Sequence, residues 1–219
     1  MADEIDIYRS CDRTIREMNR DIVASFGRLK MAKWDRINII RTVTDVYRRS
    51  LRKARKRYEE VFYDAYLLGA MMCGKSRAEA KRMADTAQIE ELVHLLLNDV
   101  DPVTRYRFTE EAERKAYRLA ESMEVAQSRN LEIDRAMRYW SKQVAQYAIL
   151  ATDAALLEAF EDAGAEKAEW VTQKDEKVCH ECRKRDGKVY PIDKFPAKPH
   201  IGCRCRRRPV IRSSSAKAD

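Results

Sequence analysis

Residues 32–68, AKWDRINIIRTVTDVYRRSLRKARKRYEEVFYDAYLL, contain the pattern that decides the fold. Apolar or small residues recur there at alternating steps of three and four. The stripe consists of Ile37, Ile40, Thr44, Tyr47, Leu51, Ala54, Tyr58, Val61 and Ala65. A repeat of this period predicts a long helix packed along a partner helix. The extra apolar residues that widen the face are Ile39, Val43, Val46 and Phe62. A helical bundle is therefore expected rather than an isolated two-stranded coiled coil.

Four further helices are predicted around this one. The first covers 12–29, with Asp12 as its N-cap, and the second covers 76–98, where Ser76-Arg-Ala-Glu79 fits a capping box. Residues 99–102 should interrupt the chain before helices at 109–129 and 132–162. The apolar face of the last helix is predicted to carry Ile133, Met137, Trp140, Val144, Tyr147, Ala151, Ala155 and Phe160.

Composition supports a mainly α fold. The 219 residues include 37% charged residues but only 6 Gly and 5 Pro, which is typical of long solvent-exposed helices and not of a disulfide scaffold. We therefore expect an elongated helical bundle with one long heptad-patterned helix.

The local pattern changes near residue 165. Gly164 follows an apolar-periodic run that ends at Phe160, as a C-cap glycine would. Beyond it, 170–172 is β-prone, and Asp186-Gly187 is a turn signal that predicts one or two short hairpins. We predict a helical body at 1–165, a small C-terminal module at 166–212 and a disordered tail at 213–219.

The strongest chemical signal in the sequence is Cys179-x2-Cys182 followed by His200-x2-Cys203-x-Cys205. A Cys-x2-Cys turn presents two thiolates to one ion, and a second short ligand pair completes a tetrahedral zinc site. A region this small has too few apolar residues to build a core unaided. Metal binding would therefore supply much of its folding free energy.

Several features of this site stay open on sequence alone. Five candidate ligands exceed the four positions of a closed zinc site, so either Cys203 or Cys205 would be spare. His180 is expected to face solvent. A closed site has no position for a reacting water, which favours a structural role over a catalytic one. Free or redox-active cysteines are the alternative to a metal site.

Basic residues form two candidate contact surfaces. Residues 1–170 carry 30 basic and 30 acidic side chains, whereas 171–219 carry 14 and 6. The first surface, on the long helix, consists of Arg48, Arg49, Arg52, Lys53, Arg55 and Lys56, followed by Arg57. The second, beside the last cysteines, consists of Arg204, Arg206, Arg207 and Arg208. Either could contact DNA phosphates or an acidic protein surface, and the alternative is a solvated face partly neutralised by acidic neighbours.

Several protein classes are not indicated. The N-terminus lacks a secretory pattern and no segment reaches the length of a membrane helix, so we expect a soluble protein of intracellular origin with no membrane partner. The common phosphate-binding, dinucleotide-binding and metalloprotease motifs are missing, and no nucleophile, base and orienting group can be assembled. We therefore expect no enzymatic activity.

The C-terminal motif resembles the phage Mu F-like head morphogenesis family. The resemblance rests on Trp170-Val-Thr-Gln-Lys-Asp175 and Cys179-x-x-Cys182, then on Asp186-Gly187-Lys-Val-Tyr190 and Pro199-His200-x-x-Cys203-Arg-Cys205. It places Cys179, Cys182, His200, Cys203 and Cys205 at metal-ligand-type positions, and Trp170, Asp175 and Gly187 at structural ones. Gly202 replaces the family's usual asparagine-like residue. Residues 138–147 and 152–157 resemble the helical part of such proteins.

The resemblance implies a low-copy minor head protein of the virion, located at the portal vertex or in the head interior. Its partners would be a portal or capsid protein, with phage DNA and self-association through helices as further possibilities, and its role would lie in head assembly, DNA packaging or ejection. We expect the toxin-like enzymatic extension that some members carry after the motif to be missing, which also argues against an enzyme. The competing hypotheses are a stand-alone zinc-dependent nucleic-acid-binding regulator and a small nuclease that uses His180 or His200 with a divalent ion.

Overall fold

Helices account for most of the chain, as the apolar periodicity predicts. The computed structural model describes residues 4–31, 36–100, 105–200 and 202–211. The helices of the body are α1 (Glu4–Met31), α2 (Arg36–Met72), α3 (Arg77–Thr86), α4 (Ile89–Asn98), α5 (Phe108–Val125) and α6 (Arg129–Asp162). The module that follows contains β1 (Lys167–Val171), α7 (His180–Arg185), β2 (Val189–Pro191), the 3-10 turn Ile192–Lys194 and β3 (Arg206–Val210). The predicted tail at 213–219 and Pro102 lie outside the described residues. Across the described ranges, no helix has the length and apolar character needed to cross a membrane.

α2 lies at the centre of the helical body, where it contacts α1, α3, α4, α5 and α6. An aromatic cluster joins three of these helices. The ring of Trp140 in α6 packs edge-on against Tyr47 of α2 at 5.0 Å and stacks on Phe108 of α5 at 5.1 Å between centroids. The buried Trp140 Nε1 donates a hydrogen bond to Ser50 Oγ at 2.8 Å, which satisfies its polar group. The predicted helical bundle is confirmed.

The heptad stripe is correct in the second half of α2 and shifted in the first half. The buried stripe residues there are Ala54, Tyr58, Val61 and Ala65. Earlier in the helix, Tyr47 of the stripe is buried but Ile40 is 42% exposed, and the other buried apolar residues are Ile39, Val43 and Val46, which lie outside the stripe. The reason is that several partner helices surround α2, so a wide face is buried rather than a narrow two-stranded seam. The side chain of Ile37 lies outside the described set.

Helix starts and ends follow local capping signals where these are present. Ser76 Oγ accepts a hydrogen bond from the Glu79 N–H at 3.3 Å, and the Glu79 carboxylate accepts one from the Ser76 N–H at 2.9 Å, so the predicted capping box is confirmed. The predicted N-cap at Asp12 is wrong because α1 already begins at Glu4.

The predicted single helix over 76–98 is also wrong. Ala87 adopts an extended conformation, with φ −66° and ψ 137°, and separates α3 from α4. Both short helices contact α2, burying Ala84 of α3 and Val93 of α4. The break therefore lets each helix turn its apolar face to the core. Similarly, α5 ends at Val125 and α6 begins at Arg129, earlier than the predicted boundaries at 129 and 132.

α6 ends in a Schellman motif at the predicted glycine. Gly164 has φ +89°, its N–H donates to the Glu161 carbonyl at 2.9 Å, and the Ala165 N–H donates to the Phe160 carbonyl at 2.8 Å. This left-handed residue turns the chain out of the helix and into β1.

The module is built on a three-stranded antiparallel sheet with strand order β2-β1-β3. The predicted hairpin around Asp186-Gly187 is wrong, because 183–185 lie in α7 and not in a strand. After α7 the chain returns to β1 through bonds from the Gly187 N–H to the Trp170 carbonyl and from the Trp170 N–H to the Lys188 carbonyl, at 2.8 and 2.9 Å. Gly187, with φ +74°, supplies the turn. The strands of this sheet are therefore joined by longer segments that carry the cysteines.

Candidate metal centre

The first ligand pair lies at the start of α7. Cys179 is the N-cap of this helix, and its Sγ accepts a hydrogen bond from the Cys182 N–H at 3.4 Å. A serine or aspartate side chain usually makes this bond. Here a sulfur makes it, so the same turn that begins the helix brings the two thiols of the Cys-x2-Cys pair together.

The second ligand pair folds back onto the first. His200 Nε2 lies 3.2 Å from Cys179 Sγ, and Cys203 Sγ lies 3.5 Å from Cys182 Sγ. Two groups of ligand atoms form, each with members within 4.8 Å of one another: Cys179, Cys182 and His200 in one, and Cys182, Cys203 and Cys205 in the other. Cys182 belongs to both groups. The structure therefore brings all five predicted ligands together around one buried thiol.

The donor set fits a zinc ion. Zinc–sulfur and zinc–nitrogen bonds of about 2.3 and 2.0 Å place neighbouring tetrahedral ligand atoms about 3.5 to 3.8 Å apart. The pairs His200–Cys179 and Cys203–Cys182, at 3.2 and 3.5 Å, lie near that range. All five side chains line one small cavity. Thiolate and imidazole donors are typical of structural zinc sites, so the residues present can hold such an ion.

The thiols differ in their tendency to ionise. A hydrogen bond with Cys205 lowers the pKa of Cys203, and the same contact raises the pKa of Cys205. Burial raises the pKa of Cys182. For Cys179, burial acts to raise the pKa, but hydrogen bonds from Cys182 and His200 outweigh it and the pKa is lowered. Cys179 and Cys203 are therefore the thiols that ionise most readily, one from each ligand pair.

The core around these ligands is small. Its buried residues are Trp170, Val178, Cys182, Cys203 and Cys205. The ring of Trp170 stacks on Phe195 with centroids 5.8 Å apart, and the Arg185 guanidinium lies over its face at 5.1 Å. Three of the five buried residues are candidate ligands. A metal ion would therefore hold together most of what this core contains.

Sequence reasoning missed three residues that connect the cluster to the helical body. Gln146 of α6 accepts a hydrogen bond from the Gly202 N–H at 2.6 Å, between His200 and Cys203. Lys198 is buried, and its ammonium lies 2.9 Å from the buried carboxylate of Asp153 in α6. The sequence held one sign of this connection, an aspartate within the alanine-rich segment Ala151-Thr-Asp-Ala-Ala155 of α6. A charge at such a position needs a buried partner.

The basic cluster after the cysteines is mostly paired within the chain. Arg204 donates to both carboxylate oxygens of Asp175, at 2.8 and 2.7 Å, and Arg208 pairs with Glu169 at 2.6 Å. Arg206 donates to Gln173 at 3.5 Å. Arg207 does not belong to the predicted exposed set. It is only 5% exposed, because its guanidinium is paired with Asp153 and lies over the Phe195 ring.

The basic residues of α2 also have acidic neighbours. The ion pairs join Arg48 to Glu113, Lys53 to Asp21, Arg55 to Glu59, and Arg57 to Glu17 and Glu60. Arg49 Nε donates to the Asp45 carbonyl at 3.2 Å. Arg52 and Lys56 are exposed. This distribution agrees with a solvated face that is partly neutralised.

The histidines within the cysteine segment differ in position. His200 belongs to the ligand cluster, whereas the side chain of His180 is 78% exposed and lies 3.6 Å from Glu181. The prediction that His180 faces solvent is confirmed. His180 is not among the ligand atoms that meet around Cys182.

Comparison with known proteins identifies a family. The model of the family described as Phage Mu protein F like protein matches residues 64–208, which run from the second half of α2 into β3 and include all five cluster residues. No curated protein and no solved structure shows a significant match. The resemblance seen in the C-terminal motif is confirmed and extends through most of the helical body. The chain therefore belongs to the phage Mu protein F-like family.

Proposed function

We propose that this chain is a minor structural protein of the phage head, whose C-terminal module is stabilised by one zinc ion. Membership of the phage Mu protein F-like family indicates a role in head morphogenesis and a location in the virion. The observation that carries the zinc proposal is the meeting of five cysteine and histidine ligand atoms around Cys182.

Zinc serves a structural purpose in this proposal. The ion would cross-link the N-terminus of α7 to the loop before β3, two segments that few apolar contacts hold together. With four protein ligands, the coordination sphere is closed to water. The protein would then bind its partners without turnover, and we propose no enzymatic activity.

We infer that the direct partner is a portal or capsid protein and that self-association through the helices is secondary. The arginines displayed beside the cysteines, Arg204 and Arg208, are already paired with Asp175 and Glu169. Paired charges offer DNA phosphates little net attraction. These contacts disfavour the stand-alone nucleic-acid-binding regulator and favour a protein partner in head assembly, with packaging and ejection as later steps.

Co-expression with the portal and major capsid proteins encoded by the same phage tests this proposal. We expect the wild-type chain to co-purify with one of them, with about one zinc per chain. A Cys179→Ser/Cys182→Ser variant should lose both zinc and co-purification, whereas Cys73→Ser, outside the cluster, should keep both. If the free chain instead binds duplex DNA with sequence preference and binds neither head protein, the regulator hypothesis replaces this one.

A further inference from the structure

A buried lysine links the candidate metal centre to the helical body. Lys198 is 3% exposed, and its ammonium has three hydrogens to donate. Its Nζ lies 3.1 Å from the Cys203 carbonyl, 2.9 Å from the Cys205 carbonyl and 2.9 Å from Asp153 Oδ2. The two carbonyls accept hydrogen bonds from the ammonium, and Asp153 is its ion-pair partner. One side chain therefore fixes the backbone of two candidate ligands and pairs with α6.

Asp153 receives a second cation from the same module. The guanidinium of Arg207, in β3, pairs with the carboxylate oxygen that faces Lys198. Asp153 is 2% exposed and Arg207 is 5% exposed, so water compensates little of this charge. One carboxylate facing two cations leaves a buried excess of one positive charge. A buried excess of this kind is costly unless another charged group lies nearby.

A zinc ion bound by three thiolates and one neutral imidazole supplies the opposite charge. Its two positive charges against three thiolates leave one negative charge. That charge would lie beside Lys198, whose ammonium touches the carbonyls of Cys203 and Cys205. The side chains of Asp153, Lys198 and Arg207 carry one net positive charge, which the loaded centre would neutralise.

We propose that Asp153, Lys198 and Arg207 form a positioning cluster that orients the second ligand pair and balances the charge of the loaded metal centre. Metal binding and docking of the module on α6 are then coupled. The bond from the Gly202 N–H to Gln146 acts in the same direction, since it holds the loop between His200 and Cys203 against α6. This inference rests on the proposed zinc site, and it assigns residues outside the coordination sphere to the control of metal affinity.

Zinc competition against a chelator of known affinity tests the coupling. Lys198→Met removes the ammonium while keeping a long apolar side chain, and we expect the affinity for zinc to fall about 10- to 100-fold, as is usual when a group that orients metal ligands is lost. Asp153→Asn removes the partner that positions Lys198 but keeps both cations beside the anionic centre, so the affinity should fall less than in Lys198→Met. The double variant should lose little more than Lys198→Met alone, because both changes remove one linked interaction.

Two controls separate positioning from general destabilisation. Lys194→Met removes an exposed lysine of the same module. Val93→Ala opens a cavity in the buried core of α4, away from the module. Neither should change zinc affinity in folded protein by more than about twofold. Zinc affinity of Lys198→Met within that same range would overturn the proposal.

A measurement on the wild-type protein keeps the proposal testable if these variants fail to fold. Removing zinc should increase amide hydrogen exchange in the module and also in α6 around Gln146 and Asp153. An increase confined to the module would overturn the coupling. The proposed zinc site fails separately, if the wild-type chain binds no zinc in the first place.

Discussion

Glycine stabilises the fold at position 164 and weakens its helix at position 27. Gly164 closes α6 in the left-handed region at φ +89°, where an L side chain is strained. Gly27 lies inside α1, and a Cβ added there meets no atom within 4 Å. Backbone conformation alone therefore makes the first glycine necessary and the second a weak point of its helix.

Alanine substitutions at these two positions should change stability in opposite directions. Gly164→Ala forces a left-handed alanine, and we expect the free energy of unfolding to fall by about 1 to 2 kcal/mol. Gly27→Ala lowers the entropy of the unfolded chain and causes no strain in the helix. It should therefore raise the free energy of unfolding by about 0.4 to 1 kcal/mol. Urea denaturation followed by circular dichroism measures both. Equal effects of the same sign would contradict this account of the α6 terminus.

At the scale of the elements, a close approach of two helices defines the body. A Cβ placed on Gly69 of α2 would lie 3.0 Å from Ala159 Cβ and 3.2 Å from Leu156 Cδ2, both in α6. The α2–α6 contact, the most extensive in the body, therefore depends on small residues facing each other. Overpacking such a contact forces side chains off their rotamers or moves the backbone.

Leucine at Gly69 should separate α2 from α6. Gly69→Leu is expected to lower the free energy of unfolding by about 1 to 3 kcal/mol, the usual cost of extra volume in a packed core. Gly27→Leu is the matched control, because a Cβ added there meets no atom within 4 Å and leucine favours the helix, so the change should be neutral or stabilising. Chemical denaturation of both variants checks this. A Gly69→Leu variant as stable as the control would show that the helices can move apart without cost.

Elements with a local cause were predictable from sequence, and those set by distant partners were not. The Ser76 capping box, the Gly164 terminus and the cysteine spacing each involve residues a few positions apart. By contrast, whether Ile39 or Ile40 is buried depends on the helices that pack around α2. The turn signal at Asp186-Gly187 was misinterpreted because a sulfur cap at Cys179 starts a helix there.

The candidate site also combines residues that could be predicted from sequence with residues that could not. Its five candidate ligands follow from spacing, since short loops bring the members of each pair together. Asp153 was missed because its partners, Lys198 and Arg207, come from a different part of the chain and meet it only in the folded protein. Arg207 was assigned to the surface for the same reason, as its neighbours in sequence are exposed or half-buried arginines and a proline.

At the scale of the whole molecule, two different sources of stability meet at α6. The body has an extensive apolar core that runs through all six of its helices, with aromatic residues stacked around Trp140. The module has a core of five buried residues, three of them cysteines. Hydrophobic burial therefore sustains the body and anchors Ala168 and Ile192 of the module to it. The rest of the module would rely on the proposed metal and on the contact with Asp153.

Removing the metal should unfold the module and leave the body folded. After chelation we expect most of the helical circular dichroism signal to remain, because α1 to α6 lie outside the module, while amides of 170–210 lose protection from hydrogen exchange. Acidification should have the same effect, since thiolates must be deprotonated to bind the ion and affinity falls as pH falls. Readdition of zinc at neutral pH should restore protection. Loss of the helical signal together with the module would show instead that the body depends on the metal. A module that stays protected after chelation would show that its apolar contacts and ion pairs are sufficient to keep it folded.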